Sequence, residues 1–166
     1  MNVDPPTEVS AVAERLRGEK SVPAVLGVTA RSLVDLLDAQ GCTISRVIGD
    51  LLVDLIQHKK AGKPDRLGHG YLISDYPLTR EVIEGREPRT VYIGDPDADA
   101  SEVRLLKELG FDSLLMVGIE SEGGVWGLVE IYGEKGRRFE ESEVALTKEL
   151  ASEVSEHLGR LARPST

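Results

Sequence analysis

Cysteine is nearly missing from this chain. Its one thiol, Cys42, excludes an intramolecular disulfide and any four-cysteine zinc site. Aromatic residues make up only 4% of the sequence. Positive charge is in deficit as well: 20 Lys and Arg face 29 Asp and Glu, a net charge of −9, and the phosphate backbone would on balance be repelled. No apolar run approaches the ~20 residues that span a bilayer. Met1 to Pro6 is polar and Pro-bearing, without the apolar core of a signal peptide, so a cytoplasmic protein is expected. There is no Walker-type glycine loop, no His-Glu-x-x-His and no nucleophile elbow. There is also no internal repeat and no low-complexity tract.

What the chain does have is a pair of apolar runs between Ser113 and Tyr132, SLLMVGIESEGGVWGLVEIY, broken by Ser121-Glu122-Gly123-Gly124. That break is a hairpin signal. Leu114 and Met116 alternate with Leu115, Val117 and Ile119. Val125, Val129 and Ile131 alternate with Trp126, Leu128 and Tyr132. Both faces of both strands are apolar, which places them in the middle of a sheet covered on two sides.

The remaining pattern supplies the covers. Thr7 to Arg17 forms a short helix closed by Gly18, and a stronger one runs from Ser21, with Pro23 in its first turn, to about Ala39, with Gly41 as its stop. Cys42–Ile48 and Leu51–Gln57 read as strands around a Gly49-Asp50 turn, the second more polar (Asp54, Gln57) and so an edge. Lys59, Lys60, Lys63 and Arg66 give a basic, solvated loop. Leu78–Glu84 is a helix entered through Pro77, Arg89–Ile93 a strand, and Asp99 or Ser101 caps a helix to Leu109 ended by Gly110. Glu140 to about Arg163 is one long helix, acidic at its start and basic at its end. Asp95, Asp97 and Asp99 imitate the start of a calcium loop. Ala100 and Leu106 stand where that loop needs Gly and Glu, so helix capping is the better account.

In GCTISRV, YLISDYPLTREVIEGREPRTVYIGDP, SLLMVGI and above all GGVWGLVEIYGEKGRRFEESEVALTKELA, the chain resembles the GAF domain family from about Ser21 to Ala162. The resemblance implies an α+β, GAF/profilin-like α-β-α sandwich. Its antiparallel sheet has five strands in the order 2-1-5-4-3, with terminal helices on one face and pocket-forming helices on the other. The expected organisation is an extension with a short helix over 1–20, the domain over 21–163 and a tail over 164–166. Subtypes of the family are tested by residue. Bilin attachment needs a cysteine near the pocket, and Cys42 lies in the first strand. Methionine sulfoxide reduction needs paired cysteines. The Asn-Lys…Phe…Asp-Glu signature of cyclic-nucleotide binders is absent. A haem ligand would have to be His69, in a Gly-flanked loop. The cofactor is therefore left unknown.

The expected ligand position is between the sheet and the segment from His69 to Leu109, with candidate pocket residues Tyr71, Ser74, Tyr76, Tyr92, Asp95, Val103, Leu106, Met116 and Glu130. The tyrosines either stack on a ligand or simply pack. Glu130, on a covered strand face, requires a partner. An arginine such as Arg80 or Arg86, or free backbone N–H groups, is expected ahead of a ligand. The resemblance implies a non-enzymatic sensor or regulatory domain of signal transduction, binding a small molecule or a signalling output protein. The rival readings are a dimerisation scaffold with a self-filled pocket and a redox enzyme acting through Cys42. The apolar stripe of the last helix is wider than one neighbour needs, so a homodimer through the terminal helices is expected. Packing of that surplus on the Thr7–Arg17 helix is the intrachain alternative.

Overall fold

The Ser113–Tyr132 stretch is the centre of the sheet. In the computed structural model, which describes residues 5–62 and 70–162, β5 (Ser113–Ser121) and β6 (Gly124–Gly133) form an antiparallel hairpin that pairs Ser113 with Gly133 and Ser121 with Gly124. β6 pairs on its other side with β1 (Gly41–Ile48), and β1 with β2 (Leu51–Lys59), both antiparallel. β4 (Arg89–Tyr92) lies along β5.

The expected five strands in the order 2-1-5-4-3 are not what is found. The sheet has six strands, ordered β3-β2-β1-β6-β5-β4, because Gly70–Leu72 adds a short strand, β3, beside Leu51–Val53. Three residues carry no legible alternation, so this strand left no mark in the pattern. It also removes the start of β2 from the edge.

The helices divide between the two faces. α1 (Pro5–Arg17), α2 (Val22–Leu37) and α5 (Glu141–Ala162) share one core with Cys42, Ile44, Leu115, Val117, Ile119, Val129 and Ile131. α3 (Pro77–Gly85), entered through a 3-10 turn at Ile73–Asp75, and α4 (Ala100–Leu109) cover the opposite face, against Leu114, Met116, Leu128 and Tyr132. The alternation of side chains along each strand is what separates these two cores.

Helix ends follow local chemistry. The Ser21 hydroxyl accepts from the Ala24 N–H at 3.3 Å, and Asp99 accepts from the Ser101 and Glu102 N–H groups at 3.0 and 3.1 Å. α2 stops short of Ala39, and Gly41 is not its stop. It ends at Leu37, where Asp38 takes the left-handed conformation (φ 49°), and Gly41 opens β1 instead. Asp and Asn tolerate that conformation better than most side chains because they can bond locally.

α1 buries Val9, Val12 and Leu16 in the same core as α2 and α5 and packs against both helices. The width of the α5 stripe therefore has an intrachain use. Among the described residues, no helix is long and apolar enough to cross a membrane.

Candidate functional site

On the α3–α4 side of the sheet the packing is incomplete. A cavity of about 240 Å³ lies over β1, β2 and β6, beneath the 3-10 turn and the two helices. Thr43, Asp54, Gln57, Glu130 and Tyr132 form its floor. Tyr71, Ile73, Tyr76, Thr79, Glu102, Leu105 and Leu109 form its walls, with Leu52 completing the apolar part.

The polar floor follows from alternation. On β6, Val129 and Ile131 enter the apolar core, so Leu128, Glu130 and Tyr132 must face the cavity side. On β1, Cys42 and Ile44 enter that core and Thr43 opposes it, paired across the ladder with Glu130. Glu102 is placed by the Asp99 cap. The capped first turn of α4 points it inward, where it is 1% exposed.

These groups are partly bonded to each other. The Thr79 hydroxyl donates to Glu102 Oε1 at 2.5 Å and lies 3.5 Å from Met116 Sδ. Gln57 Nε2 donates to Thr43 Oγ1 at 3.3 Å, and the Ser45 hydroxyl donates to Asp54 Oδ1 at 2.7 Å. Tyr71 and Tyr76 meet edge to face, 6.0 Å between centroids, and Tyr132 stacks on Phe111 at 4.8 Å.

Glu130 is different. It is 7% exposed and, among the described residues, makes no hydrogen bond or ion pair. The arginines expected to meet it are engaged on the surface, Arg80 with Glu84 and Arg86 with Glu120. Burial pushes the Glu130 carboxyl well above the usual carboxylate range, and Glu102 and then Asp54 push it further. Burial raises Glu102 too, opposed by the Thr79 hydrogen bond. Burial and then Glu102 raise the Tyr76 hydroxyl.

Of the candidate residues, Tyr71, Tyr76 and Glu130 line the cavity. The others lie elsewhere. Ser74 is exposed and bonds Asp50, its N–H at 3.0 Å and its hydroxyl at 2.7 Å. Asp95 pairs with Arg138 at 2.8 and 3.1 Å, and the same guanidinium lies 4.1 Å from the Tyr92 ring, so both are held at the far end of β4. Leu106 and Met116 are buried in the packed part of the α3–α4 core, with Val103 against its rim. On α4 the cavity takes Glu102, Leu105 and Leu109, while Val103 and Leu106 do not line it. Thr43, Asp54, Gln57, Thr79, Glu102 and Tyr132 were not anticipated. The polar character of Asp54 and Gln57 was the usable signal, read as the mark of an edge. His69 falls outside the described residues. Cys42 is fully buried on the opposite face of the sheet, its thiol pushed up by burial and then by Glu130.

The GAF domain family model matches residues 21–158, and the chain belongs to that family. Solved structures agree on the fold. The phycoerythrobilin-bound GAF domain of a cyanobacterial phytochrome is 15% identical, with TM-score 0.82 and 97% of each chain covered. The bacteriophytochrome RpBphP3 of R. palustris is 14% identical with TM-score 0.82, over 93% of this chain and 37% of its own. The GAF domain of an Acinetobacter phosphoenolpyruvate-protein phosphotransferase is 15% identical with TM-score 0.77, over 96% of this chain and 95% of its own. The chain spans 37% and 60% of the length of two RpBphP3 structures it matches. A comparison with curated proteins finds no match.

Proposed function

We propose that the chain is a non-enzymatic sensor domain whose small-molecule ligand occupies the cavity between the sheet and the α3–α4 layer, and whose occupancy is passed to a signalling partner. The observation that carries this reading is Glu130: a carboxyl more than nine-tenths buried, facing an open cavity, without a partner among the described residues. Such a group costs stability unless something else completes it. A scaffold whose pocket is filled by its own side chains has no use for it. Redox chemistry through Cys42 is disfavoured, because a reactive thiol needs an exposed, electropositive setting.

Several fold relatives hold bilins, and the residues here do not suit one. The thiol is on the wrong face. The cavity is smaller than the ~300–1,000 Å³ that drug-sized ligands occupy, and a linear tetrapyrrole is larger still. Its propionates would meet Asp54, Glu102 and Glu130. The homodimer expected from the α5 stripe is not carried into this reading, since α1 takes up that width within one chain.

The test is native mass spectrometry of the full chain after incubation with a metabolite extract, comparing wild type with Leu105→Trp, which fills the cavity. A small-molecule adduct on wild type that the variant loses is the expected result. Bare wild-type protein, with no thermal shift in the extract, returns the scaffold reading.

A further inference from the structure

We infer that the cavity takes a small organic cation, a primary amine or amidinium carried on a compact apolar body of roughly ten heavy atoms. This rests on the sensor reading and specifies its ligand.

The lining sets the charge. Asp54, Glu102 and Glu130 all border the cavity, and among the described residues no Lys, Arg or His does. An anion entering this space would meet the carboxyls of Glu102 and Glu130 with no cation among the described lining residues to receive it. A neutral ligand without donors would leave Glu130 as unpaired as before. An ionised carboxylate accepts hydrogen bonds and donates none. The group that completes it is a donor, and a charged N–H donor forms the stronger bond. Glu102 is part of the same demand: one oxygen is taken by the Thr79 hydroxyl, and the other has no partner among the described residues.

A metal ion fits less well. Among the described residues, no three of the His, Cys, Asp and Glu side chains are grouped closely enough to hold one. The carboxylates come from β2 and β6 on the floor and from α4 on the wall, around a volume far larger than an ion. Apolar surface is available for the body of an organic ligand, from Leu52, Ile73, Leu105 and Leu109. The Tyr71 and Tyr76 rings add π-faces that attract cations. For size, a cavity of about 150 Å³ holds benzene, which scales to roughly ten heavy atoms here.

Charge also ties binding to pH. Glu130 is faced by Glu102 from α4, Asp54 from β2, Thr43 from β1, Tyr132 on its own strand and Tyr76 at the entry to α3. Its carboxyl is held neutral over a wider pH range than usual, by burial first and then by Glu102 and Asp54. A cation is bound best once that proton leaves, so its affinity rises with pH.

The experiment is calorimetric titration of the full chain with four probes: 2-phenylethylamine, benzamidine, 2-phenylethanol and phenylacetate. We expect at least one of the two cations to bind wild type at least tenfold more tightly than the alcohol, and phenylacetate not to bind. Glu130→Gln and Glu102→Gln should each weaken the cation at least tenfold and leave the alcohol unchanged. Without any variant, the cation's affinity for wild type should fall at least tenfold from pH 8 to pH 5. The cation assignment is overturned if the alcohol or phenylacetate binds as tightly as the amines, if cation affinity is unmoved by the Gln variants or by pH, or if neither cation binds. The extract experiment assumes nothing about charge. An adduct there with no cation binding here removes the cation and keeps the sensor, while no adduct there removes the sensor itself.

Discussion

The two faces of this sheet are built from the same strands and differ in almost every physical respect. On the α1–α2–α5 face, Cys42, Ile44, Val117, Val129 and Ile131 meet three helices in a dry core. On the α3–α4 face, one residue away on each strand, Thr43 and Glu130 replace them, and the packing opens into a cavity. The first face buries apolar area at about 25 cal/mol per Å² and holds the fold together. The second gives up part of that gain. A buried carboxyl beside a cavity, without a partner among the described residues, is a local inconsistency of the kind natural proteins keep at functional positions. Division of labour by strand alternation lets one sheet serve both ends, because a change on one face need not disturb the other.

The largest effects should follow from damaging the dry face. Leu150 is fully buried between α5 and the sheet. Leu150→Ala should cost about 3 kcal/mol in urea unfolding, from lost transfer energy plus the cavity left behind. Leu105→Ala, on the wall of an existing cavity, should cost about 1 kcal/mol, because it enlarges a space already there. Equal losses would dissolve the distinction between the faces.

Gly127 tests the sheet that both faces share. A Cβ there would lie 2.3 Å from the Ser45 carbonyl oxygen across the β1–β6 ladder. Gly127→Ala must push two central strands apart, so a loss of about 2–3 kcal/mol is expected by the same measurement. Thermal stability unchanged from wild type would show that the strands are not so close.

At Glu130 the expected sign reverses. Its folded-state carboxyl has a raised pKa, from burial, Glu102 and Asp54 in that order. The stability linked to this shift is therefore complete below the unfolded value of about 4.3 and is lost as pH rises through the folded one. Glu130→Gln removes the ionisation while keeping the shape. It should leave stability unchanged near pH 4 and raise it by on the order of 1 kcal/mol near pH 8. A variant less stable than wild type at pH 8 would mean that the carboxylate is satisfied within the chain.

How far these differences were legible in the sequence depended on which face a residue served. The dry core could be read from alternation, since Leu115, Val117, Val129 and Ile131 are apolar wherever the pattern requires it. The site could be read only where a residue broke that pattern, as Glu130 does. Thr43, Thr79 and Glu102 did not stand out, because threonine suits a strand or helix surface and glutamate suits the first turn of any helix. Asp54 and Gln57 did signal a polar wall, but polarity on a strand reads equally as solvent or as a cavity. Tyr92 and Asp95 were drawn in by their neighbours in sequence. Their actual partner, Arg138, is 43 residues further on from Asp95, and no local pattern encodes that meeting.

At Cys42 the expected effect is again small, and it decides which face the only thiol serves. Cys42 is fully buried among α1, α2 and α5 partners, and burial followed by the Glu130 charge pushes its thiol up. It behaves as a small apolar side chain. Cys42→Ala should cost on the order of 1 kcal/mol, with probe binding in the cavity unchanged, because the sheet stands between them. Iodoacetamide near neutral pH should modify native protein only at the rate at which the core opens, since it needs a thiolate and access to it, and both are withheld. Urea short of the unfolding midpoint should therefore speed alkylation in proportion to the unfolded fraction, as expected of a site exposed only by global opening. Rapid alkylation of native protein, or loss of cavity binding in Cys42→Ala, would move the thiol to the functional face and return the redox reading.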